Sequence, residues 1–99
     1  VKSYSLKFFP RVERDIITIR DFYDKEQKGL GARFYYEFKQ TVRSLKINPF
    51  YQIRYDTIRC LPIKGFPFMI HFEVNEEKAE VYIYAVISTY QNPDTAWIK

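Results

Sequence analysis

The chain is 99 residues long, the size of one domain, taken here as residues 1–99. It carries 16 Lys+Arg against 12 Asp+Glu, a net charge of +4 that suits an acidic partner or nucleic acid as well as an ordinary soluble surface. A single cysteine, Cys60, excludes an internal disulfide, and with a single histidine, His71, the sequence gives no basis for a metal site or cofactor.

The chain begins "VKSYSLKFF", without the long apolar segment of a signal peptide, and no run of ~18 apolar residues follows. The expectation is a cytoplasmic protein. Ser3–Phe9 alternates partly, with Tyr4, Leu6 and Phe8 on one side, and reads as a short strand. Pro10 then opens a helix, since its missing N–H is unpaired in a first turn anyway. Val12, Ile16, Ile19, Phe22 and Tyr23 recur at helical spacing up to Lys28. Gly29 is placed to be the left-handed residue that ends this helix. From Leu30 to Asn48 a second stripe appears, Phe34, Phe38, Val42 and Leu45, and Pro49 stops it. The pair reads as an αα-hairpin that must cover something.

Three strand-like runs follow. Ile53–Ile63 is mixed. Phe66–Val74 puts Phe66, Phe68, Ile70, Phe72 and Val74 on one face, and Pro67, Met69, His71 and Glu73 on the other. After the polar turn Asn75–Lys78, Glu80–Ser88 puts Val81, Ile83, Ala85 and Ile87 on one face, and Tyr82, Tyr84, Val86 and Ser88 on the other. The predicted architecture is α+β, in the order β-α-α-β-β-β, with the helices on the apolar face of an antiparallel meander. His71 falls on the opposite, less apolar face, beside Tyr82 and Tyr84 if the last hairpin pairs in the simple register.

Taken in order, the short strand and proline-started helix, "GLGARF" (Gly29–Phe34), Asn48–Pro49, "IRCLPIKGFPFMIHFEV" (Ile58–Val74), "VYIYAVIS" (Val81–Ser88) and Asn92, Pro93 and Trp97 resemble the RelE/ParE superfamily of bacterial toxins. The ParE-like branch is the nearer. The resemblance spans almost the whole chain, and its most specific part is the arginine strand running into Phe-Pro-aromatic-x-Ile-x-aromatic. It implies the βααβββ fold and a toxin of a type II toxin–antitoxin pair, plasmid-stabilization systems included. Such a toxin is neutralised by an antitoxin encoded beside it. RelE-like members cut mRNA on the ribosome, whereas ParE-like members are similar to inhibitors of DNA gyrase. Arg54, Arg59 and Lys64 match the family's basic positions. Ser88 stands where a His is common, and Tyr90 and Gln91 where Arg is common, so the basic C-terminal patch is absent.

Two sets of candidate residues follow. Cleavage of a message needs a group to activate the ribose 2′-OH and a cation for the phosphate; His71, Arg59 and Tyr90 are the residues for it. The plain alternative is that His71 fills a polar-facing strand position. Arg54, Arg59, Tyr82, Tyr84, Tyr90, Trp97 and Tyr35 are the candidates for binding a partner: an antitoxin, DNA gyrase, or ribosome and message. Arg54 and Arg59 differ by five and should face opposite sides of a regular strand. The charges of the helical hairpin alternate in sign and read as a solvated outer face. The surplus rings, Tyr35 among them, suit an amphipathic antitoxin helix or a second copy of the chain. A degenerate member that binds only its antitoxin is the remaining reading.

Overall fold

The computed structural model describes residues 2–89. The elements are β1 (Ser5–Phe8), α1 (Pro10–Glu26), α2 (Leu30–Ser44), β2 (Ile53–Tyr55), β3 (Ile58–Pro62), β4 (Phe68–Asn75) and β5 (Glu80–Ser88). They build one five-stranded sheet in the order β1-β5-β4-β3-β2. β1 runs parallel to β5, and the other pairs are antiparallel. This is the α+β arrangement read from periodicity, with two differences in the strands. The mixed run Ile53–Ile63 is two strands, because Asp56 takes a left-handed φ of 48° and turns the chain back on itself. A short acidic side chain tolerates that conformation, and period-two counting does not register it.

Pro10 is the first residue of α1, and Phe9 before it is extended and supplies no side-chain cap. Val12, Ile16 and Ile19 turn inward from α1, and Phe34, Phe38 and Val42 from α2; Phe22, expected in the α1 stripe, is instead 56% exposed, at the outer edge of that helical face. Gly29 is left-handed as expected, with φ 88°, but α1 has already ended at Glu26 and Gly29 directly precedes α2. The junction is closed by Asp24, whose Oδ1 accepts the Gly31 N–H at 2.8 Å. Gly31 lies where the helices approach most closely: a Cβ there would stand 2.6 Å from the Arg20 carbonyl oxygen and 2.7 Å from Asp24 Oδ1.

The core lies between the hairpin and the sheet. Phe34, Phe72, Leu45, Ile63, Ile70, Ile83 and Val81 are fully buried in it. Tyr23 and Phe34 meet Phe66 edge-on, with ring centroids 5.0 and 5.3 Å apart. Each such side chain contributes roughly 1.5–3 kcal/mol of transfer free energy, which two amphipathic helices and a short sheet obtain only together.

The second difference lies in β5. His71 pairs with Ala85 and Phe72 with Ile83, so Tyr84 has no partner on β4 and forms a bulge. A bulge shifts the side-chain alternation by one residue. Val81 and Ile83 point at the helices as predicted, but so does Val86, which is part of the main core. Ala85 and Ile87 pair with His71 and Met69 instead and lie on the opposite face. Tyr82 pairs with Glu73, not with His71.

β1 accompanies β5 only as far as Ile83. Beyond that point the Val86 N–H is taken by a helix side chain: Asp15 Oδ2 accepts it at 3.0 Å while the same carboxylate pairs with Arg11 Nε at 3.2 Å. Asp15→Ala leaves both groups without this partner and should cost about 1–3 kcal/mol in urea unfolding. Gly31→Ala should cost a similar amount by forcing the helices apart. An Asp24→Ala control tests the cap alone; equal stability of all three variants with the parent would refute this account of the junctions.

Candidate functional site

Two places gather the chemistry-bearing residues. The first is on the face of the sheet away from the helices. His71 is only 3% exposed there. It belongs to a small second cluster with Tyr55, Ile58 and Cys60, against which Met69 and Tyr84 pack. Tyr55 Oη and His71 Nδ1 are hydrogen-bonded at 2.9 Å, and Cys60 Sγ is 3.5 Å from the same nitrogen. Thus the sequence placed His71 on the correct face, but that position is not wet. The β2–β3 hairpin folds Tyr55 over it, and only the unforeseen turn at Asp56 makes that possible.

Burial dominates the electrostatics of this cluster. It pushes His71 down to about 4, assisted by the positive charges of Arg11 and Arg54. It pushes the Cys60 thiol up to about 11, with Arg54 pulling the other way. Tyr55 is pushed up to about 12 by burial and by Cys60 and Asp56. The imidazole is thus buried and bonded to a phenol, and its charged form is disfavoured. Among the described residues no group of three or more His, Cys, Asp and Glu is placed to hold a metal ion.

Tyr82 and Tyr84, two of the partner-binding candidates, are hydrogen-bonded to carboxylates. Tyr84 Oη donates to Glu73 Oε1 at 2.6 Å and Tyr82 Oη to Glu80 Oε1 at 2.6 Å. Glu73 also accepts from Thr57. Burial first, then the Glu73 bond, raise the Tyr84 phenol well above its ordinary range. Tyr82 is raised chiefly by its bond to Glu80. Carboxylates therefore stand beside these rings, which is unfavourable for a phosphate backbone.

The second place is a groove of about 620 Å³ between β1 and the two helices. Its walls are apolar, with Leu6, Val12 and Ile16 below and the half-open Phe8 and Ile17 at the sides. Its lining also holds Arg20, Lys39, Arg43 and Lys46 against Glu13 as the one carboxylate. Lys39 and Arg43 are one turn apart on α2 and Lys46 follows just beyond its end, so the three share a side. Tyr35 stands between two of the cations, with Arg20 Cζ 4.6 Å and Lys39 Nζ 4.7 Å from its ring centre. Among the described residues the ion pairs are Lys7–Glu80 and Arg11–Asp15, and neither involves a groove cation. The overall mixture of signs on the hairpin concealed this stripe. Counting one helix face at a time, at i, i+4 and i+7, shows it.

The remaining candidates do not converge. Arg54 is exposed on β2 and acts on His71 only through its charge. Arg59 pairs with the core residue Phe72 and lies under the loop before β2, so the two arginines are on different sides, as the spacing required. Tyr90 and Trp97 lie outside the described residues. Tyr35 is the one predicted partner-binding residue in the groove.

No family model matches the chain, and no curated protein matches it. The fold does have solved counterparts. It superposes on a chain of the chromosomal ParDE toxin–antitoxin system from P. aeruginosa with a TM-score of 0.75 at 20% identity, over 87% of this chain and 96% of that one. The fold is RelE/ParE-like. A chain of the intact E. coli RelBE toxin–antitoxin complex matches with a TM-score of 0.50 at 15% identity, over 90% of this chain and 100% of that one. The isolated E. coli RelE toxin matches with a TM-score of 0.50 at 14% identity, over 93% of this chain and 90% of that one. Within the RelE/ParE-like fold, the ParDE chain is thus the nearer of these in shape. No helix among the described residues is long and apolar enough to cross a membrane.

The His71 cluster makes stability depend on pH with a defined sign. Folding lowers the histidine from 6.5 to about 4, so between these values the unfolded chain holds a proton that the native chain rejects. The contribution is complete above pH 6.5 and is lost as pH falls toward 4, reaching roughly 2 kcal/mol by pH 5. Urea midpoints from pH 7 to 4.5 should fall more steeply for the parent than for His71→Leu. Parallel curves would show that this residue is not buried neutral.

Proposed function

We propose that this chain is the toxin of a type II toxin–antitoxin pair, that it acts in the cytoplasm by binding a protein, and that an antitoxin segment seated in the groove silences it. The observation that carries the reading is the groove itself: an apolar trough lined by four cations and one carboxylate. It fits an amphipathic helix with acidic flanks, which would bury an apolar stripe against Val12, Ile16 and Phe38 and set carboxylates beside Arg20, Lys39 and Arg43. Shape adds support, since two of the matched structures are toxin–antitoxin assemblies and the ParDE one matches better.

The implied target is DNA gyrase. The alternative, cleavage of ribosome-bound mRNA, is less well supported. Its proposed base, His71, is 3% exposed and already hydrogen-bonded to Tyr55, and the tyrosines of that face are bonded to carboxylates. A degenerate, harmless member would keep the groove and lose the activity.

The deciding experiment is induced expression in E. coli with colony counts, reporter-plasmid supercoiling and mapping of mRNA ends. Growth arrest with relaxed plasmid is expected, and His71→Leu should arrest growth as the parent does provided it folds. Messages cut within codons establish the nuclease instead; undisturbed growth leaves the harmless member. Lys39→Glu with Arg43→Glu should leave arrest intact but weaken rescue by the antitoxin by about tenfold or more. Equal rescue refutes the groove assignment.

A further inference from the structure

The free arm of the β2–β3 hairpin is weakly anchored to the sheet. β2 is three residues long and lies at the sheet's outer end. It pairs with β3 at Ile53↔Arg59 and Tyr55↔Ile58, with an irregularity between them. Ile53 and Arg54 are open to solvent, and Tyr55 is the one buried residue of the strand. Tyr55 belongs to the small reverse-face cluster and not to the core under the helices. A segment held by few buried apolar contacts opens at a lower free energy than the core does.

The bond that holds Tyr55 down is sensitive to a proton. The Tyr55 hydroxyl and the Cys60 thiol both stand at His71 Nδ1, 2.9 and 3.5 Å away, an arrangement that suits a neutral ring accepting at that atom. A protonated ring presents an N–H there instead and removes the acceptor from both donors. The new charge also lacks a counter-charge. Arg54 from β2 and Arg11 from α1 act on it with the same sign, while Tyr55, Cys60 and, from β5, Tyr84 are neutral. Asp56 acts on Tyr55 from the turn, and Glu73 of β4 is taken up by Thr57 and Tyr84. A buried ion of this kind has to regain water. Lifting β2 admits water without opening the core beneath the helices.

We propose that β2 and the turn at Asp56 form an acid-operated flap: protonation of His71 releases Tyr55, lifts the strand off the sheet and uncovers Cys60, while the helices and the other four strands stay folded. The left-handed residue Asp56, with φ 48°, is where the flap joins β3. β3 itself remains paired with β4 from Arg59 to Pro62, so Cys60 keeps its place when its cover leaves. A thiol closed to solvent at neutral pH thereby becomes accessible on acidification. None of these residues lines the groove, and the proposal does not rest on the toxin reading.

The test follows protection of Cys60 against 4,4′-dithiodipyridine from pH 7 to 4.5, each rate taken relative to the urea-unfolded chain at the same pH. Protection should fall on the order of fiftyfold over that range, the factor set by a histidine that returns from about 4 to 6.5 on opening. Amide exchange of Ile70, Val81 and Ile83 should stay slow throughout. His71→Leu should show no such fall, with His71→Gln in its place should the leucine variant not fold. Tyr55→Phe should lower protection already at pH 7, by about fivefold. Glu73→Gln keeps an acceptor for Thr57 but cannot titrate, and should respond as the parent does. Flat protection in the parent overturns the proposal. So does a fall that the Ile70, Val81 and Ile83 amides share, because the whole chain then unfolds, or a fall that persists without His71 or disappears in Glu73→Gln.

Discussion

The Asp15 carboxylate joins the two layers of the molecule. One oxygen takes the Val86 N–H from the sheet, and the group as a whole holds Arg11 on its own helix. It does so next to the Tyr84 bulge, at the point where β1 no longer accompanies β5. Without a bulge, Val86 would face away from the helices, and Ala85 and Ile87 would crowd the core. With it, small and branched side chains reach the reverse face and make room for His71. The groove depends on the same anchorage, because α1 supplies one of its walls.

Four of the acids of this chain are turned to internal use. Asp15 serves the sheet, Asp24 caps α2, Glu73 receives Thr57 and Tyr84, and Glu80 receives Tyr82. Some cations are engaged in the same way, Arg11 with Asp15 and Lys7 with Glu80, but the groove cations form none of these ion pairs. In the groove, four cations stand against one carboxylate. Exposed charge of one sign beside apolar surface favours encounter with acidic proteins and raises the rate of association.

Chemistry on the reverse face is restricted by the same packing. Burial beneath Tyr55 takes His71 out of contact with solvent and disfavours its charged form. What the face retains is a set of neutral, mutually bonded groups whose ionised forms are all disfavoured. Such an arrangement fixes the position of the β2–β3 hairpin, and with it the place of Arg54 and Arg59.

Periodicity alone determined the two helices, β1, β4, the inward stripes apart from the exposed Phe22, and the face of His71, because helical and extended backbones repeat every 3.6 and 2 residues and the core enforces that repeat. Composition determined that no disulfide forms within the chain. Three things were decided only in three dimensions. The turn at Asp56 and the bulge at Tyr84 depend on one residue's backbone each and leave no periodic trace. The burial of His71 followed from the first of them. The groove's cations came together from α1, α2 and the turn beyond, and their clustering exists only once the helices are packed side by side. Local sequence records which way a side chain points on its own element; what stands opposite it is set by the partner element, and that is where the groove between β1 and the helices arises.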